Sequence, residues 1–223
     1  MKRTIVLVMI LLVFLGCKKN MSKMITPEPQ SNNISKSGNI TREMLEQMPE
    51  WPKCELQGKY IASLDEFKVD WYNQHLKAMQ EPLLGLEVQC DEYFRFIWLR
   101  TFHNPVLVSF SLRQGKKTIK WKVLDGAGGY DPGKIKISNE RELSIEEWNK
   151  VQEILDDMEF WRLYTENPGN RGFDGAQWII EGRCEKYYHI VDRWTPSKSN
   201  SFRQGCLKLL AFTDISVPDD EIY

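Results

Sequence analysis

The chain of 223 residues lacks the short motifs that announce a chemistry. It has no Gly-x-Ser-x-Gly, no His-Glu-x-x-His, no phosphate loop and no dinucleotide-type glycine fingerprint. Histidine is scarce: only His75, His103 and His189 are present, so a His-centred mechanism has few candidates. The five cysteines form no CxxC and no Cys/His cluster, which argues against zinc; no metal and no cofactor is expected. Neither sign of charge dominates, with 30 basic against 31 acidic side chains. No basic stripe stands out, which sets nucleic acid aside as a partner. The longest apolar run, Ile5 to Leu15, is 11 residues and too short to cross a hydrocarbon core of about 30 Å as a helix.

That run has the shape of a removed secretion signal instead. Lys2 and Arg3 precede it, and Gly16-Cys17 follows where a peptidase would cut. The tetrapeptide Phe14-Leu15-Gly16-Cys17 resembles the lipobox of bacterial lipoproteins, with Phe14 in place of the usual Leu and Leu15 in place of a small residue. The resemblance implies that Cys17 is lipidated and becomes the new N-terminus, anchoring the protein to a membrane through two or more acyl chains. In a Gram-negative cell, Lys18 after that cysteine favours the outer membrane.

Three regions follow: a signal peptide over 1–16, lipidated Cys17 with a linker over 17–40, and a globular domain over 41–223. Residues 18–40 are polar, poor in aromatics and broken by Pro27 and Pro29, as expected of a flexible tether. Its ends would lie about 25 Å apart. The whole chain carries a net charge of -1. Removing Lys2 and Arg3, and then the tether's surplus of three positive charges, leaves the domain near -6. Such a surface leans weakly toward basic partners.

The domain reads as α+β. Ser63-Leu-Asp-Glu66 resembles a capping box for a helix carrying Leu64, Phe67, Trp71 and Met79, with His75 also on it. Ser144-Ile-Glu-Glu147 opens a second, with Trp148, Val151, Leu155 and Met158 on one face and Ile145 and Ile154 widening it. Ser201-Phe-Arg-Gln204 opens a third, carrying Leu207, Leu210 and Ala211. Residues 93–102 are apolar on both faces, as in a central strand. Strands over 106–113 and 118–123 flank a turn at Gln114-Gly115-Lys116. Ala176, Trp178 and Ile180 face one way on a further strand. Tyr187, His189 and Val191 do so on its return partner. Short connections predict a single, mainly antiparallel sheet of about five strands with helices packed on one side. Cys54, Cys90, Cys184 and Cys206 allow two local disulfides, Cys54 with Cys90 and Cys184 with Cys206; free buried thiols are the alternative.

Two blocks carry candidate chemistry. Gly126 to Gly133 holds four glycines, Pro132, Tyr130 and Asp131. Its amides could hold an anion and Asp131 could face a cation, or the block is simply a tight turn. The second block brings Asp174, Arg193 and Trp194 to one rim, near His103, with an Asp174–Arg193 cross-strand pair as the structural alternative. The candidate binding rim is therefore His103, Tyr130, Asp131, Asp174, Arg193 and Trp194. Trp71, Trp98, Trp121, Trp148 and Trp178 fall on expected core faces. Trp51, Trp161 and Trp194 lie near segment ends, where an exposed ring could stack on a sugar or anchor a partner.

Asp174, Gly175, Trp178, Arg193, Trp194 and Pro196 also resemble a signature of exported bacterial proteins with no established activity, over roughly residues 93–213. The resemblance implies a real fold and no mechanism. The expectation is a lipid-anchored cell-envelope protein whose domain binds another envelope protein or, second, peptidoglycan. A narrower version is an immunity or inhibitor lipoprotein against an exported toxin. The rival is an envelope hydrolase using Asp174 or Glu181 with His103 and Arg193, which requires those groups to converge.

Overall fold

Glu92–Arg100 forms β1, buried at every position but the first. Its residues alternate between two cores: Phe94, Phe96 and Trp98 enter one, Ile97 and Leu99 the other. A strand apolar on both faces needs cover on both. The computed structural model, which describes residues 64–85, 90–167, 172, 174–184 and 187–223, supplies it. Cys17, the tether, Trp51, Cys54 and Ser63 lie outside the described residues.

The described order is α1 (Glu66–Ala78), β1, β2 (Val106–Arg113), β3 (Lys116–Leu124), β4 (Ile135–Glu142), α2 (Ile145–Asp157), β5 (Ala176–Cys184), β6 (Tyr187–Trp194) and α3 (Ser201–Leu210). All strands pair antiparallel, in the order β4-β3-β2-β1-β5-β6. The fold is thus α+β on one open sheet. It differs from expectation in two respects: the sheet has six strands rather than about five, and the helices lie on both faces. Tyr72, Leu76 and Met79 of α1 and its end pack on Ile97, Leu99, Leu107, Ile179 and Ile190. Trp148, Val151 and Leu155 of α2, with Phe202 and Leu209 of α3, pack on Phe96, Trp98, Val108 and Trp178.

Local chemistry sets the element ends. Ser144 and Glu147 form the expected capping box, the Ser144 Oγ accepting from Glu147 N–H at 3.2 Å and the Glu147 carboxylate accepting from Ser144 N–H at 2.9 Å. Ile154 is buried as expected, whereas Ile145 is exposed. The other two expected boxes are replaced by nearer caps. Asp65 accepts from Phe67 N–H, and Asn200 from Phe202 and Arg203 N–H. Consequently α1 buries Tyr72, His75 and Leu76, while Phe67 stands in solvent. The β2–β3 hairpin turns on Gln114 (φ 50°) and Gly115 (φ 82°), both left-handed, as a two-residue turn matching strand twist demands.

Cys206 is a fully buried free thiol, so the Cys184–Cys206 bridge is not formed; burial pushes that thiol's pKa well up. Cys90 is also a free thiol. No helix among the described residues is long and apolar enough to cross a membrane.

Candidate functional site

The chain turns at one end of the sheet, and most of the sequence-derived rim residues meet there. After β1, Thr101–Asn104 bends into β2. The segment joining β3 to β4 folds over this bend: Gly128 N–H donates to His103 O at 3.0 Å, Gly129 N–H to Thr101 O at 3.1 Å, and Asn104 Nδ2 to Gly126 O at 3.0 Å. The approach is so close that a Cβ on Gly128 would sit 2.6 Å from the Arg100 backbone, which explains the glycine.

The glycine-rich loop also closes on itself. Gly126 N–H donates to Pro132 O, Ala127 N–H to Asp131 O, and Tyr130 N–H to Ala127 O. Asp131 Oδ1 accepts from Gly133 N–H at 2.9 Å, and Asp125 Oδ1 from Lys134 N–H at 2.7 Å. The amides an anion would need are therefore engaged within the protein. The tight-turn reading holds at this loop, and the anion cradle does not.

On the other flank, Thr101 N–H donates to Gly175 O at 2.9 Å and Gly175 N–H to Thr101 Oγ1 at 3.2 Å. This fixes exposed Asp174 beside the bend. The half-buried Trp194 ring lies against Gly175, where a Cβ would come within 2.7 Å of it. The C-terminal residues lock the same end. Trp178 Nε1–H donates to Tyr223 O at 2.8 Å, the Tyr223 hydroxyl meets His103 Nδ1 at 2.8 Å, and Arg100 pairs with Glu221 at 3.0 Å.

His103, Tyr130, Asp131, Asp174 and Trp194 thus share one end of the sheet. Arg193 does not join them. It stands opposite Trp178 in the β5–β6 register, and its guanidinium donates to the carbonyls of Tyr164, Thr165 and Asp192 at 2.8–3.0 Å while lying 5.7 Å from the Phe202 ring. It is a clamp for the segment before β5, and the expected Asp174–Arg193 pair is not made. Trp161, expected near an exposed end, is buried against Phe94 and Phe160.

The hydrolase set does not converge. Glu181 is buried under α1, ion-paired with Arg95 and accepting Gly85 N–H at 2.8 Å. Arg193 is on the opposite face with Phe202, and His103 lies beyond the end of β1. Among the described residues, no three His, Cys, Asp or Glu side chains are grouped to hold a metal ion.

A layer of buried charge beneath α1 escaped the sequence reading. Lys68 reaches both Glu166 and Asp192, the latter at 2.7 Å, and Tyr72 Oη donates to Asp192 at 2.9 Å. Burial holds the Asp192 carboxyl above its usual pKa range, against the lowering pull of Lys68 and Tyr72. Arg95, also bonded to Pro82 O at 2.7 Å, completes the layer with Glu181. Arg95 interrupts the apolar run Tyr93 to Leu99 of β1 and Glu181 follows Trp178-Ile179-Ile180 of β5, and that placement was the available signal. The Arg95–Glu181 pair itself crosses from β1 to β5; every other pairing named in this layer joins α1 or its following segment to the sheet or to the segment before β5, so the layer reads as a helix fastener. No protein-family model matches the chain, and a comparison with curated proteins finds no match.

Proposed function

We propose that the chain is a lipid-anchored envelope protein that works by binding a protein partner, with the loop end of its sheet as the binding face. The sequence of the first 17 residues carries this reading: a basic start, an apolar run too short to span, and Gly16-Cys17. Support for binding comes from the rim, where exposed Phe102 and Tyr130 rings stand on loops tied together by backbone hydrogen bonds. An immunity or inhibitor lipoprotein is the narrower version of the same proposal, and a toxin-like neighbouring gene is its mark. Peptidoglycan is the second choice of partner, and in a Gram-negative cell the outer membrane is the proposed location.

The anchor is tested by growth with radioactive palmitate. The parent chain takes up label and Cys17→Ser does not; an unlabelled parent sinks the lipoprotein reading and leaves plain secretion. Binding is tested by cross-linking in cells, where a rim variant such as Phe102→Ala loses a partner that the parent recovers. A parent that recovers nothing counts against the binding reading.

A further inference from the structure

Three of the large hydrophobic side chains most exposed among the described residues lie along a single surface. They are Phe67 (72% exposed), Phe102 (57%) and Tyr130 (62%). A chain of contacts joins them. Phe67 is 6.2 Å from Trp71 between ring centroids, and Trp71 Nε1–H donates to Gly128 O at 2.9 Å. Two residues on from Gly128, the Tyr130 ring lies 6.2 Å from Phe102. The backbone beneath Tyr130 and Phe102 is fixed by Gly128–His103 and Gly129–Thr101 hydrogen bonds, and α1 fixes Phe67 and Trp71. The ordering cost that weakens most loop-borne contacts is therefore already met within the fold.

The charge around this stripe is one-sided. The carboxylates of Glu66 and Asp70 flank Phe67, Asp131 follows Tyr130, and Asp174 stands beside Thr101 and Phe102; all four are exposed. Among the described residues, Lys68 on α1 is committed to Glu166 and Asp192, and Arg100 and His103 beside Phe102 face Glu221. Exposed Lys134 is outnumbered by the four acids.

Aromatic faces and carboxylates both attract guanidinium and ammonium groups. The same carboxylates repel anionic lipid headgroups, and a neutral glycan would use the rings and leave the acids idle. We propose that the Phe67–Trp71–Tyr130–Phe102 stripe docks an arginine- and lysine-rich segment of the protein partner. This rests on reading the domain as a binding module and is independent of the anchor.

The full chain in detergent is titrated into labelled deca-arginine and followed by fluorescence anisotropy. Binding is expected, weakening with salt and falling about tenfold in Phe102→Ala/Tyr130→Ala. Asp70→Asn/Asp131→Asn is expected to weaken it comparably, since the side-chain amide replacing the Asp131 carboxylate retains an acceptor for Gly133 N–H. Absence of binding overturns the proposal, and so does binding that survives loss of both rings. Ring-dependent binding to phosphatidylglycerol vesicles or to chitohexaose, without deca-arginine binding, assigns the stripe to a membrane or a glycan and also overturns it. Both rings are solvent-exposed, so the double variant should keep its circular dichroism; should it not, Tyr130→Ser alone is titrated in the same way. An unlipidated parent leaves this inference standing. A cross-linked partner that docks through an acidic surface sinks it while sparing the binding reading.

Discussion

The two faces of the sheet solve the same packing problem with different chemistry. Beneath α2 and α3 the cover is mainly apolar and aromatic, with the buried guanidinium groups of Arg100, Arg193 and Arg203 lying over the Trp98, Phe202 and Trp178 rings. Trp98 and Trp178 rings meet at 4.7 Å beside Phe96, and Phe94, Phe160 and Trp161 pack edge to face with one another. Beneath α1 the cover mixes Leu76, Ile97 and Ile179 with the Arg95–Glu181 pair and the Lys68–Asp192–Tyr72 group. Apolar packing is tolerant of small slips, whereas buried ions must meet their partners or suffer desolvation. The difference teaches that α1 is fastened mainly by buried ion pairs, and α2 and α3 mainly by shape, with Arg203 of α3 adding bonds to Pro196 O and Ile222 O.

The sharpest way to break that comparison is to remove one ion. Arg95→Leu leaves the Glu181 carboxylate buried without its cation, and a loss of about 3–5 kcal/mol is expected in urea unfolding. Arg95→Leu/Glu181→Leu should recover most of it, because removing both partners abolishes the uncompensated charge. A double variant as unstable as the single one would mean that the pair is not the fastener.

The aromatic face has its own weak point at low pH. His189 is fully buried between Phe160 and Trp161, and burial lowers its pKa from the ordinary value of 6.5 to about 4. Between those two values the unfolded chain binds a proton that the folded chain refuses. Stability therefore falls as pH drops from about 6.5 to about 4 and is then level, for a total on the order of 3 kcal/mol. His189→Phe should flatten that limb of a stability–pH curve, whatever it does to stability at neutral pH. An unchanged limb would place the acid sensitivity elsewhere than His189; Asp192 does not supply it, because a carboxyl held above its usual pKa adds stability as pH falls.

How much of this was legible depended on whether the deciding interaction was local. The α2 box, Ser144 with Glu147, is contained within four residues and was readable outright. At α1 the same Ser-x-x-Glu spacing misled, because Asp65 stands closer to the helix and takes the capping role. On α1, Leu64 and Met79 are buried and Trp71 packs against the core as expected, and only Phe67 was misplaced. Hydropathy favours Phe67 over His75, but His75 is buried with its ring meeting Trp71 O one turn back at 3.0 Å, while the inward face also carries Lys68 and Tyr72 onto Asp192 of the sheet. Strand β4 was missed because its sequence, Ile-Lys-Ile-Ser-Asn-Glu-Arg-Glu, has no sustained apolar alternation. It is an edge strand held to β3 partly by Lys120–Glu140 and Lys116–Glu142, a pattern visible only when both strands are aligned. The both-sided apolarity of β1 did contain the second layer of helix. At the candidate site, turn residues placed His103, Tyr130, Asp131, Asp174 and Trp194 together, while Arg193 was lost to register. A shift of one position moves a strand side chain to the other face.

Smaller effects sharpen the contrast between the helices. Ser144→Ala removes a cap on the apolar side and should cost about 1 kcal/mol in thermal unfolding. Asp65→Ala removes the α1 cap, and a similar loss is expected because its geometry is comparable at 2.9 Å. A much smaller loss at Asp65 would show that the ions beneath α1, not its cap, define where that helix starts.

The smallest effect expected is at Phe67. Its ring is 72% exposed and touches only Trp71 among the ring contacts of the described residues, so Phe67→Ser should change stability by less than about 0.5 kcal/mol. The same substitution at Leu76, one face away and fully buried, belongs to the class that costs several kcal/mol. A near-silent Phe67→Ser that nonetheless weakens deca-arginine binding would separate the two jobs of α1, one face fastening the helix and the other meeting a partner. A loss above about 1 kcal/mol at Phe67 would instead mean that its ring is covered in the full chain, and the stripe would then begin at Tyr130.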